Sequence, residues 1–278
     1  MRLRSLLFVP GDRPDRMEKA VASGADAVIL DLEDSVSPDR KPWARKDVAA
    51  FLSRAGRDVP LLVRINSLSS PLARDDIAVV LSAKPDGLVL PKAEGAASVR
   101  DLAAMLGLSA VKVLPIATET PKSVFTLGTF EAVADRLLGL TWGAEDLSAA
   151  VGAATARQEG GRFTAPYETV RSLALFAAHA ASVPAIDTVY PDIGDSEGLA
   201  GFAARSRRDG FSGMMAIHPS QVPVINEAFT PSERELVEAR AIVEAFAASP
   251  GAGVLQIEGK MVDLPHLKAA RALLGRAE

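Results

Sequence analysis

The run Val113-Leu114-Pro115-Ile116-Ala117-Thr118-Glu119-Thr120-Pro121, with its counterpart Leu140-Thr141-Trp142-Gly143-Ala144-Glu145-Asp146-Leu147, decides the fold. Each run is apolar for the length of a strand buried on both faces, and each ends in a carboxylate. If the two are neighbouring strands of one parallel barrel, Glu119 and Asp146 emerge at the same C-terminal rim, where barrel enzymes carry their chemistry. Two carboxylates converging there suit a hard divalent cation such as magnesium, which takes oxygen donors. The competing reading has Glu119 capping the helix that follows Pro121 and Asp146 capping another.

Outward from these runs the chain alternates strand and helix. Leu3 to Val9 reads as the first strand. Gly11-Asp12-Arg13-Pro14-Asp15 then opens a helix, with Asp12 as N-cap and Pro14 in the first turn. Ala27 to Asp34 is the second strand and closes on Asp31, Glu33 and Asp34. Pro60 to Asn66 is the third, with Arg64 inside its apolar run, and Gly87 to Lys92 is the fourth. The opening runs are the fifth and sixth, joined by a helix from Pro121 to about Ala134. Gly152 to Thr164, with its Gly160-Gly161 pair, reads as a rim loop. A helix over Pro166 to Ala181 follows, then Val183 to Asp187 as strand seven. Ser196 to Arg208 is a helix with Ser196 as N-cap, and Gly213 to Pro219 is strand eight.

This order predicts an α/β fold, a (β/α)8 TIM barrel over residues 1–225 acting as the catalytic domain. A doubly wound open sheet is the alternative, but no glycine-rich dinucleotide fingerprint follows any strand. Residues 226–278 add a C-terminal helical/β extension. It comprises a helix over Pro231 to Ala248, a break at Ser249 to Gly253, strand-like alternation from Val254 to Asp263, and a last helix from Leu264 to Leu274. That extension is too short to form a core of its own, so it is expected to pack on the barrel or on a neighbouring subunit.

With 278 residues, 48% of them hydrophobic, the chain can bury a large core. Its net charge of -4 argues against a nucleic-acid partner. The absence of cysteine excludes disulfides and thiolate metal sites. The apolar stretch before Pro10 is too short for a signal peptide, and no run reaches the ~20 apolar residues of a membrane span. The expectation is a cytoplasmic protein with no membrane partner.

In a barrel, the strand ends bring Arg64, Lys92, Glu119, Asp146, Asp187 and His218 to one rim. Arg64 either binds a carboxylate or enolate oxygen through paired donors or neutralises Glu33 or Asp34. Lys92 is either a Schiff-base nucleophile or a counter-ion, and the neighbouring acids favour the counter-ion. Arg13, Arg16 and Lys19 stand near the start of the first helix, where phosphate is favoured. Arg40 and Lys41 could assist them; the alternative is a solvated basic face. No Gly-x-Ser-x-Gly elbow follows a strand.

Leu7-Phe8-Val9-Pro10-Gly11-Asp12-Arg13-Pro14, then Leu30-Asp31-Leu32-Glu33-Asp34-Ser35-Val36, then Val63-Arg64-Ile65-Asn66 resemble the citrate lyase beta-chain-like (CitE-like) family, which includes malyl-CoA and citramalyl-CoA lyases. Leu90-Pro91-Lys92, Thr118-Glu119-Thr120, Gly143-Ala144-Glu145-Asp146 and Ala216-Ile217-His218-Pro219 continue the resemblance in order, over nearly the whole chain. It implies a Mg2+-dependent TIM barrel that cleaves a citryl-, malyl- or citramalyl-CoA-like thioester to an acyl-CoA, such as acetyl-CoA, and a 2-oxo acid. It implies Glu119 and Asp146 as magnesium ligands and Arg64 as a substrate contact; for such a thioester, Arg13 and Arg16 at the start of the first helix are the expected handle for the CoA phosphates. Gly259 to Pro265 looks like the family's C-terminal motif, whose Asp263 would exchange the methyl proton in a neighbouring subunit's site within a homotrimer or hexamer. A 2-oxo acid aldolase that does not use CoA, and a beta subunit active only within a citrate lyase complex, are the alternatives.

Overall fold

The computed structural model describes residues 1–54, 58–159 and 161–275. Gly160 of the expected rim loop and the last three residues of the extension lie outside the described residues. Eight short strands run in chain order: β1 (Ser5–Pro10), β2 (Ala27–Asp31), β3 (Leu61–Arg64), β4 (Gly87–Leu90), β5 (Val113–Pro115), β6 (Leu140–Thr141), β7 (Ala185–Asp187) and β8 (Gly213–Ala216). They form one sheet in the order β5-β4-β3-β2-β1-β8-β7-β6, and every paired neighbour is parallel.

The two ends of that order, β5 and β6, meet through isolated parallel bridges, Ile116 with Thr141 and Val113 with Leu137. The Ala117 N–H donates to the Thr141 carbonyl at 2.8 Å, and the Leu138 N–H donates to the Val113 carbonyl at 2.7 Å. The sheet therefore closes into the expected TIM barrel, through a thin seam between the strands that lead to Glu119 and Asp146. Pairing of β8 with β1 and closure at the seam rule out the open doubly wound alternative.

Strand side chains alternate faces, and here both faces are buried. Leu6, Ile29, Leu62, Val89, Leu114, Ile186 and Met215 point inward and fill the barrel. Their chain neighbours, among them Leu7, Val28, Val63, Leu88, Val113 and Met214, point outward into the layer covered by helices. This two-sided burial explains why the strands read as unbroken apolar runs.

The helical layer consists of α1 (Pro14–Val21), α2 (Lys41–Leu52), α3 (Leu72–Ser82), α4 (Ala96–Leu106), α5 (Pro121–Val124), α6 (Glu145–Ala150), α7 (Ala165–Ala180), α8 (Ser196–Asp209) and α9 (Gln221–Phe229). Three local readings are corrected. The N-cap of α1 is Arg13, without a side-chain cap; Asp12 instead faces Arg40 at 3.6 Å. The N-cap of α8 is Asp195, not Ser196, and its carboxylate accepts the Gly198 N–H at 2.8 Å. The single helix expected over Pro121 to Ala134 is the one-turn α5, followed by a 3-10 stretch over Leu127–Arg136.

Beyond Ala216 the chain stays in the barrel through α9, which spans residue 225 and buries Val222, Ile225 and Phe229 in the main core. The rest is α10 (Glu233–Ala248), a hairpin of β9 (Val254–Ile257) and β10 (Lys260–Asp263), and α11 (Leu264–Gly275). Phe246, Val262 and Leu267 form a small separate apolar cluster there, flanked by Ile242, Val243, Leu255 and Ile257. These residues pack against one another across the elements of the extension. The hairpin and last helix bury their apolar residues on α10, and α10 is tied to α8 by Arg207 and Glu235 at 2.8 Å. Val254, Met261 and Leu264 remain exposed. No helix among the described residues is long and apolar enough to cross a membrane.

Candidate active site

The inward-pointing positions of β2 and β3 continue through Ile29 and Leu62 to Asp31 and Arg64, which are register partners. Strand alternation alone thus places an acid and a base face to face in the mouth of the barrel. Arg64 Nε and Nη2 donate to the two Asp31 carboxylate oxygens, both at 2.7 Å, and the guanidinium lies 4.8 Å from the centre of the Phe8 ring. Its third nitrogen, Nη1, is 3.1 Å from Glu33 Oε2. Burial acts to raise the Asp31 pKa, but the charge and hydrogen bonds of Arg64 outweigh it and hold the carboxyl below its ordinary range. Glu33 goes the other way, because its burial outweighs Arg64 and Lys92. Glu33 Oε2 is buried and lacks an aligned hydrogen bond; its contact with Arg64 is an ion pair only.

Lys92 follows β4 with φ +52°, a left-handed conformation that costs a lysine about 1 kcal/mol or more. The turn it makes aims two of its groups at the site. Its backbone N–H donates to Glu119 Oε2 at 2.5 Å. Its ammonium is 2.9 Å from Glu33 Oε1 and 3.3 Å from Asp146 Oδ1. Burial works against the Lys92 charge, but the hydrogen bond and charge of Glu33, with Asp146 and Glu119 behind them, raise its pKa. An ammonium held in this way is a poor Schiff-base nucleophile, so the geometry favours the counter-ion reading.

Glu119 is 4% exposed. Gly143 makes room for it, since a Cβ there would lie 3.0 Å from Glu119 Cγ. Burial, with the charges of Asp146 and Glu33 adding, pushes the Glu119 carboxyl up to about 8. Asp146 is not at a strand end. It sits in the first turn of α6, where an acid also complements the helix dipole, and its side chain is partly exposed toward Lys92.

Among the described residues, no group of three His, Asp or Glu is disposed to hold a metal by itself. Two carboxylate donors nevertheless fit magnesium, which keeps several positions for water and substrate. Only Oε2 of Glu119 accepts a hydrogen bond from the described residues, which leaves Oε1 as a donor to a cation.

The basic residues of the first helix divide. Arg16 and Lys19 line a cavity of 340 Å³ with Phe8, Pro10, His218 and Pro219, between α1 and the end of β8. Arg13 does not line it; it pairs with Asp15 at 3.1 Å on the exposed side. Lys41, expected to assist, is buried and donates to the carbonyls of Leu32 and Glu33, both at 2.8 Å. It braces the end of β2 and has no room for phosphate. His218 faces Ser220 and the same groove.

Asp187 does not reach the rim. Its neighbour Ile186 points inward, so Asp187 points outward, fully buried, where it accepts from Trp142 Nε1 at 2.6 Å and from Arg171 Nη2 at 2.7 Å. This is a bolt between β7 and α7. Asp263, at the end of β10, accepts from His266 Nδ1 at 2.5 Å, and its side-chain hydrogen bonds among the described residues are confined to this turn. No hydrogen bond or ion pair among the described residues joins it to Arg64, Glu119 or Asp146. Two features escaped the sequence reading. One is the Lys92 N–H, which depends on a backbone angle. The other is Arg157, which pins the rim loop by donating to Gly161 and Val189 carbonyls at 3.0 and 3.2 Å and stacks 4.0 Å from the Phe163 ring centre.

Residues 4–219 match the family model for HpcH/HpaI aldolase/citrate lyase. The chain belongs to this family. Residues 166–278, which include the C-terminal extension, also match a model for a C–C bond lyase of the TIM-barrel fold. Among curated relatives of this HpcH/HpaI family member is a citrate lyase subunit beta-like protein of Mycobacterium tuberculosis. It is 39% identical over 276 residues, covering 98% of this chain and 94% of the relative. An L-malyl-CoA/beta-methylmalyl-CoA lyase of Rhodobacter capsulatus is 32% identical, covering 99% and 94%. Among solved structures, CitE of Mycobacterium tuberculosis in complex with magnesium, acetoacetate and coenzyme A superposes with a TM-score of 0.85 at 37% identity, covering 99% of this chain and 97% of that one. The CitE-like resemblance read from the motifs is therefore correct, and this HpcH/HpaI family member is a carbon–carbon lyase of the citrate lyase beta-chain-like kind.

Proposed function

We propose that this chain is a magnesium-dependent lyase that cleaves a citryl-, malyl- or citramalyl-CoA-like thioester into an acyl-CoA, such as acetyl-CoA, and a 2-oxo acid. The observation that carries this reading is the convergence of Glu119, with Oε1 free of hydrogen bonds from the described residues, and Asp146 on the Lys92 side of the barrel mouth, beside Arg64. Binding of magnesium, acetoacetate and coenzyme A by CitE of Mycobacterium tuberculosis supports it, as does the L-malyl-CoA/beta-methylmalyl-CoA lyase relative.

Glu119 and Asp146 hold the cation, which supplies a Lewis acid for the carboxylate and hydroxyl of the substrate. Arg64, fixed by Asp31, presents Nη1 to the negative charge that develops as the carbon–carbon bond breaks. The hydroxyl loses its proton and becomes the carbonyl of the 2-oxo acid, and the electron pair of the broken bond passes to the thioester enolate. Asp263 of a neighbouring subunit exchanges the proton at that carbon in a homotrimer or hexamer. Arg16 and Lys19 receive the CoA phosphates in the groove beside α1, while Arg13, paired with Asp15, lies outside its lining.

The test is an assay of the purified chain with a small panel of acyl-CoA thioesters and glyoxylate, pyruvate or oxaloacetate. One pair should turn over with magnesium. Glu119→Gln and Asp146→Asn should remove both magnesium binding and turnover while the fold persists. Arg16→Ala should raise KM for the thioester more than it lowers kcat. Full activity in excess EDTA would overturn the metal reading, and activity only after addition of other citrate lyase subunits would favour the complex-bound alternative.

A further inference from the structure

Lys92 touches three acids with two chemically different groups. Its N–H fixes one oxygen of Glu119 at 2.5 Å, while its ammonium bridges Glu33 at 2.9 Å and Asp146 at 3.3 Å. With φ at +52° the chain turns so that the amide faces β5 and the side chain crosses the barrel mouth. The ammonium thus stands against the carboxylate of Asp146 that a cation would use.

We infer that Lys92 is a positioning residue and an internal counter-ion: its amide presents Glu119 to magnesium, and its ammonium holds the place of magnesium on Asp146 until substrate arrives. The inference rests on the magnesium reading of the site. Without Lys92, buried Glu33 and Glu119 and half-buried Asp146 would face one another with Arg64 as their nearest cation, and Arg64 is shared between Asp31 and Glu33. With Lys92 in place, magnesium must displace a like charge to reach Asp146, which weakens its binding. An anionic 2-oxo acid adds negative charge on the open side of the cation and compensates that loss. Lys92 therefore couples metal uptake to substrate arrival, and the free site takes up magnesium only weakly.

The experiment is calorimetric titration of magnesium chloride into the metal-free full-length chain, with and without pyruvate, at fixed low ionic strength. Lys92→Met and Lys92→Gly should each bind magnesium about tenfold more tightly than the wild type in the absence of pyruvate. Pyruvate should tighten magnesium binding in the wild type and do so much less in both variants. Lys92→Arg, which keeps the charge, should stay close to the wild type, a result that a purely structural role would not give. Lys92→Gly retains the N–H to Glu119 and suits a positive φ, so it carries the test even if Lys92→Met fails to fold. Unchanged or weaker magnesium affinity in Lys92→Gly overturns the inference while leaving the magnesium site intact. A wild-type chain that takes up no magnesium, with or without pyruvate, overturns both.

Discussion

At the residue scale the site is an exercise in unequal charge. Asp31 and Arg64 satisfy one another, whereas the burial of Glu119 outweighs the Lys92 charge beside it. Its pKa rises from 4.5 to about 8, which makes the metal-free protein sensitive to pH in a defined direction. Below the ordinary carboxyl pKa both folded and unfolded chains hold the proton, and the contribution to stability is fully present. As pH rises toward about 8, the unfolded chain releases its proton while the folded chain retains it, so stability falls. Urea denaturation in EDTA should show the wild type losing about 4–5 kcal/mol relative to Glu119→Gln between these limits, and no further difference at higher pH. Parallel stability curves for the two proteins would show that Glu119 ionises normally. The acids themselves were legible in the sequence because each ends an apolar run. Asp187 was misplaced because a strand end read to within one residue leaves its face undetermined, and one residue exchanges the barrel mouth for the helical layer.

At the element scale the strand and helix order was readable, but the helix ends were not. The segment after Glu119 shows why. Thr120 and Ser123 form a reciprocal cap that starts α5 well. Thr126 and Thr129 then turn their hydroxyls back onto the Ser123 and Thr126 carbonyls, at 3.0 and 2.6 Å, and so compete with helical hydrogen bonding around Gly128. Apolar periodicity is blind to this competition, so one helix was expected where the chain makes a turn of α-helix and a 3-10 stretch. The start of α10 is the contrasting case. Ser232 and Glu235 cap it reciprocally, and Arg207 fastens Glu235 to α8. Ser232→Ala should cost about 1 kcal/mol. Thermal unfolding should register the loss as a lowered midpoint, with magnesium affinity unchanged; an unshifted midpoint would mean that α10 is held by its packing alone.

At the scale of the whole molecule, a barrel was legible because eight β/α units repeat with no competing cofactor motif. The packing of the extension was not, since its apolar residues are too few to announce a cluster of their own. Within its chain Asp263 is occupied by His266, so a role in catalysis requires a second subunit to bring it to a barrel mouth. Mixing inactive Asp263→Asn with inactive Glu119→Gln subunits under exchange conditions should restore part of the activity, because some mixed sites then carry both native residues. No recovery despite proven exchange would confine Asp263 to its own chain or remove it from the reaction. The thin closure between β5 and β6 has a consequence of another kind. The carboxylates proposed for magnesium follow the first and last strands of the sheet order, so a cation bound between them would act as a staple across the barrel's weakest junction. Magnesium should then slow hydrogen exchange of the Ala117 and Leu138 amides, which cross that junction, more than exchange of the amides joining β1 to β2. Equal slowing at both places would show that the junction needs no staple.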